Sequence, residues 1–163
     1  MAFRSTALIG IGLAALALAG CSHDDKRAAL HDPDEPHYGL FFNDNGETVS
    51  LAYGEANSDN VALMLECGKG SGRVQVSDLA RGQAPALVLA SGRRTTELGA
   101  RLQASDGPAL VVADAALDAG ALQGFRRTGK LTVSQGEARY GVAAGAHERE
   151  EVSLFFTACG RVA

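Results

Sequence analysis

A nucleophile needs a nearby base to activate it, and the side chains that could form such a pair are sparse in this chain. Of its four histidines, His23, His31 and His37 fall in a polar stretch near the N-terminus, and only His147 lies in the patterned body. Ala146-His147-Glu148-Arg149-Glu150-Glu151 is not the HExxH of a zinc protease, because position 151 is Glu. Gly70-Ser71-Gly72 lacks the spacing of a GxSxG elbow, so His147 reads as a residue at a helix start. Gly124-Phe125-Arg126-Arg127-Thr128-Gly129-Lys130 matches GxxxxGK, but Leu131 stands where a phosphate loop needs Ser or Thr for magnesium. The segment also reads from helix into strand, the reverse of that motif. Gly68, Gly70 and Gly72 lack the downstream helix of a dinucleotide site.

Acids and bases that could meet in space need separate treatment. Asp78, Glu97, Asp106, Asp114, Asp118 and Glu137 fall at expected strand ends or turns, where charged residues are normally solvated. Two of them brought together could hydrolyse a glycan. The doublets Arg93-Arg94 and Arg126-Arg127 could hold an anionic group if the fold joined them, and as separate surface charges they need no explanation. His23, His31 and His37 stand among Asp24, Asp25, Asp32, Asp34 and Glu35, a donor set suited to a divalent metal. Their spacing matches no structured site. The expectation is no catalytic, metal or cofactor-binding residue.

Cys21 carries the clearest signal. Arg4 precedes an apolar run, Ala7 through Ala19, and small residues lead to the cysteine, which is the layout of a secretory leader. The run falls short of the roughly 20 apolar residues that span a bilayer. Leu18-Ala19-Gly20-Cys21 resembles the lipobox of bacterial lipoproteins. The resemblance implies cleavage before Cys21, a diacylglycerol on its sulfur and an acyl group on the new amine. Two or three acyl chains make dissociation negligible at about 0.8 kcal/mol per buried methylene. Ser22, rather than Asp, follows the cysteine, which by the sorting rule of that class implies the outer membrane, facing the periplasm. Loss of Arg4 with the leader takes the formal net charge of −4 one unit further negative. Such a chain lacks the basic face a nucleic acid needs and the polybasic patch that holds anionic lipid. The lipid must therefore do the anchoring.

With Cys21 assigned, Cys67 and Cys159 remain as an even pair in an oxidising compartment, where a disulfide is the default. The pair stands 92 residues apart, a loop whose closure is worth about 4–5 kcal/mol in the chain-entropy model.

These residues divide the chain into a leader at 1–20, a lipidated cysteine with a polar tether at 21–37, and one β-rich domain at 38–160. The tether holds two prolines and almost no apolar content, so it cannot bury a core. From Tyr38 onward, short β-type runs alternate with turn residues. Strands are expected at Tyr38–Phe42, Thr48–Tyr53, Val61–Cys67, Arg73–Ser77, Ala86–Ala90, Thr96–Gln103, Pro108–Ala113, Lys130–Gln135 and Glu137–Ala143. Val61, Leu63, Leu65 and Cys67 alternate onto one face and turn Cys67 inward. Asn43-Asp44-Asn45-Gly46 reads as a hairpin turn. The result is a mainly β antiparallel sandwich or barrel. A short helical segment near 114–127, capped by Asp114, and a C-terminal helix over Glu148–Ala158 complete it. Val152, Phe155, Phe156 and Cys159 follow helical spacing, three glutamates occupy the first turn, and Gly160 marks the stop.

The strand ending in Cys67 before a Gly-rich turn, with a second cysteine near the C-terminus, is similar to small envelope inhibitors of lysozyme. Those pair two such cysteines across a β-barrel and use a small-residue loop ending in an aromatic. The nearest segment here, Ala90-Ser91-Gly92-Arg93-Arg94-Thr95, lacks the aromatic. Phe125–Leu131 followed by Phe155-Phe156-Thr157-Ala158-Cys159 is similar to uncharacterised proteobacterial envelope proteins. The function expected is a non-catalytic binding or accessory module with an envelope protein or glycan as partner. A carboxylate-using cell-wall hydrolase and a lysozyme-inhibitor-like protein are the alternatives.

Overall fold

The computed structural model describes residues 38–81 and 86–160. The leader, Cys21 and the tether lie outside the described residues, and so do the histidines and acids of that stretch. Nine strands form one antiparallel sheet that curls into a half-barrel. They are β1 (Tyr38–Asp44), β2 (Thr48–Glu55), β3 (Val61–Gly68), β4 (Arg73–Leu79), β5 (Ala86–Ser91), β6 (Arg94–Gln103), β7 (Leu110–Ala116), β8 (Lys130–Gln135) and β9 (Ala138–Ala143). Their order across the sheet is β1-β2-β3-β4-β7-β6-β5-β8-β9. Two helices, α1 (Gly120–Thr128) and α2 (Glu148–Cys159), complete the described fold. All nine expected strands are present, and the fold is mainly β with a C-terminal helix.

Period-two alternation builds the inner face. Val49 and Leu51, Leu63 and Leu65, Val74 and Val76, Leu87 and Leu89, and Leu131 and Val133 are all buried, each pair two residues apart on one strand. Helix α1 packs on β5, β6 and β8, whereas α2 packs on β1 and β2. Phe155 and Phe156 of α2 and Phe125 of α1 are fully buried. Their rings meet edge to face, with Phe125–Phe156 centroids 6.3 Å apart and Phe155–Phe156 centroids 5.6 Å apart, a geometry that ring quadrupoles favour.

Cys67, at the end of β3, is joined to Cys159, at the end of α2, with their Cα atoms 5.8 Å apart. Backbone bonds from Gly70 N–H to Ala158 O and from Gly72 N–H to Cys159 O dock the same helix end. Gly70 and Gly72 both take positive φ, 69° and 67°, which presents those amides to the helix carbonyls.

One local expectation is corrected. Asp114 does not cap a helix. It lies within β7, whose register with β4 runs on through Ala116, and α1 begins only at Gly120. Gly160 ends α2 as expected, in an extended conformation (φ −63°). The left-handed cap is instead Gly129 after α1, at φ 66°, with its N–H on Phe125 O.

Candidate functional site

The inner-face pattern of β4, Val74-Val76-Asp78, carries a carboxylate inward. Asp78 is 1% exposed, although a solvated strand end was expected of it. The curl of the sheet brings β8 and β9 across to it, four and five places away from β4 in the strand order. The Gln135 amide donates to Asp78 Oδ2 and, at 2.8 Å, to Leu79 O, while the Gln135 carbonyl accepts from Arg81 N–H at 3.0 Å. The Tyr140 hydroxyl donates to Asp78 Oδ1 at 2.8 Å. Arg81 lies over the Tyr140 ring, 4.4 Å from its centroid, within cation–π range.

The electrostatics follow from burial. Desolvation raises the Asp78 pKa above the ordinary carboxylate range, against the pull of its Tyr140 and Gln135 donors and of Arg81. Burial and the neighbouring Asp78 carboxylate push the Tyr140 phenol far above its usual value, so it remains a hydrogen-bond donor. Tyr53 is raised as well, by burial and then by Glu148 and Tyr38. The Tyr38 and Tyr53 rings meet at a tilt, 5.5 Å between centroids. Both Asp78 oxygens have a donor, and no buried side-chain polar atom among the described residues lacks a partner. A buried acid so engaged ties β4 to β8 and β9.

The remaining acids do not join it. Glu97, Asp106, Asp114, Asp118 and Glu137 are exposed. Glu97 and Asp114 sit within β6 and β7, and Asp114 meets Arg101 at 3.4 Å. His147 is exposed at the N-cap of α2 and gives no side-chain cap. No group of three or more His, Cys, Asp or Glu side chains among the described residues could hold a metal.

The glycine motifs serve packing. A side chain at Gly124 would lie 2.7 Å from Ser91 Cβ, so glycine lets α1 settle on β5. Gly124 to Lys130 indeed runs from helix through the left-handed Gly129 into strand. In the Ala90–Thr95 segment, Ser91 turns inward and donates to Lys130 O at 2.7 Å, while Gly92 and Arg93 form an exposed hairpin tip. The hairpin carrying Arg93-Arg94 packs on α1, which carries Arg126-Arg127, and all four arginines are exposed.

The outer face of the sheet supplies a recess. A depression of about 220 Å³ is floored by Ala62, Met64, Leu79 and Leu110 and rimmed by Asp59, Ser105 and Pro108. Its floor is the reverse side of the strands that hold Asp78: Met64 stands opposite Ser77, and Leu79 opposite Leu110. The rim comes from the β2–β3 and β6–β7 loops, the kind of scaffold-held loops where binding concentrates.

No protein-family model, curated protein or solved structure matches this chain.

Proposed function

We propose that the chain is a lipid-anchored module of the bacterial cell envelope that binds a partner without transforming it. The Leu18-Ala19-Gly20-Cys21 tetrad and the leader before it support lipidation at Cys21 and a place at the outer membrane facing the periplasm. Pairing of Cys67 with Cys159 suits that oxidising compartment. The binding role is carried by one observation: a loop-rimmed apolar recess on the sheet, with Asp78 behind it engaged by Gln135 and Tyr140. The 16 residues from Ser22 to His37 reach at most ~55 Å when extended, which lets a tethered domain meet an envelope protein or glycan away from the bilayer. Tethering also raises local concentration.

A photo-crosslinking residue at Met64 in the lipidated protein, irradiated in living cells, tests this reading. It should capture one envelope component that the same residue at exposed Glu97 does not. Equal labelling from both positions would count against the recess. Peptidoglycan digestion by the purified domain, abolished by Asp78→Asn in a protein that still folds, would replace binding with hydrolysis.

A further inference from the structure

A strand at the edge of a sheet leaves alternate amides unpaired and invites another strand. Strand β1 is such an edge, since it pairs only with β2. Two of its outward amides nevertheless have acceptors. Leu40 N–H donates to Glu148 Oε1 at 2.8 Å, and Phe42 N–H to Glu151 Oε2 at 3.1 Å. Both carboxylates come from the first turn of α2, three residues apart and so on one helical face. The other oxygen of Glu148 accepts the Gly145 amide at 2.5 Å, which ties the loop before the helix to the same point. Gly39 makes the approach possible: a Cβ there would lie 2.9 Å from Glu148 Oε1. The opposite end of α2 is fixed by Cys159 and by the Gly70 and Gly72 amides.

We infer that α2 is a strap whose two glutamates stand in for a neighbouring strand and keep the β1 edge from pairing with β1 of a second copy. The edge needs such cover. Tyr38-Gly39-Leu40-Phe41-Phe42 has no charge and no proline, and Phe41 is 42% exposed beside it, the composition of a segment prone to intermolecular strand pairing. The glutamates are thus positioning residues that act on the backbone, independently of the recess and of lipidation.

Residue-resolved amide exchange on the intact, disulfide-bonded chain tests this. Glu148→Ala should speed exchange at Leu40 on the order of tenfold and leave Phe42 protected, and Glu151→Ala should do the reverse. Gly39→Ala, which displaces Glu148 without altering it, should reproduce the Leu40 effect alone. The double variant E148A/E151A should form concentration-dependent dimers in sedimentation, and adding Phe41→Lys, a charge on the edge, should return them to monomers. Unchanged exchange at both amides in the single variants would overturn the inference. A double variant that folds and stays monomeric at high concentration would overturn it too.

Discussion

Tyr140→Phe isolates one of the bonds that join the far strands of the curled sheet to β4. The substitution keeps the ring, its packing and a surface for Arg81 to cover, and deletes only the hydroxyl that donates to Asp78 Oδ1 at 2.8 Å. Asp78 is buried, so water cannot replace the lost donor. A hydrogen bond to a charged group contributes about 1.5–3 kcal/mol, which puts the cost near 2 kcal/mol. For a domain of this size each kcal/mol moves Tm by roughly 4 °C, so Tm should fall by about 8 °C. Urea unfolding of wild type, Y140F, D78N and the double variant gives the coupling directly. If the pair acts as one unit, the double variant should lose about 1–2 kcal/mol less than the sum of the singles. A Y140F protein within about 0.5 kcal/mol of wild type, or strictly additive losses, would show that Asp78 draws nothing from Tyr140 and refute the coupling.

The raised pKa of Asp78 gives a pH signature. Its folded form holds a proton more tightly than the unfolded chain, so its contribution is fully present below about pH 3.9 and is lost as pH rises through the elevated folded value. The stability gap between wild type and D78N should therefore shrink with rising pH above 4 in denaturation series; a gap that widens would contradict this. Thiol labelling of the denatured, unreduced protein should find no free Cys67 or Cys159, and quantitative labelling of both would refute the disulfide.

Much of this architecture was legible because alternation and turn chemistry act locally. Val61, Leu63, Leu65 and Cys67 declare an inward face by spacing alone, and Gly46 turns at φ 87° where the Asn-Gly signal placed it. Asp78 was misplaced because residue type outweighed pattern: Val74-Val76-Asp78 already sets it on the buried face, as Leu131-Val133-Gln135 does its partner. What no local signal carries is that β4 and β8 meet. They are separated in the sheet by β7, β6 and β5, and only the curl of the whole sheet brings their ends together. The helix start failed for a related reason. Val112 and Ala113 are held in strand by pairing with β4 and β6 on both sides, and Asp114 by pairing with Gln75 of β4, a tertiary effect that overrides a capping signal. The Glu148 and Glu151 contacts with β1 span more than a hundred residues. Their spacing had shown only a favourable charge at a helix start.

The tethered-module account rests most heavily on Cys21. The intact mass of the protein extracted from bacterial membranes with detergent decides it. The account requires a chain that starts at Cys21 and carries diacylglycerol and an N-acyl group. A mass that begins at Met1, or at Cys21 without lipid, would contradict it.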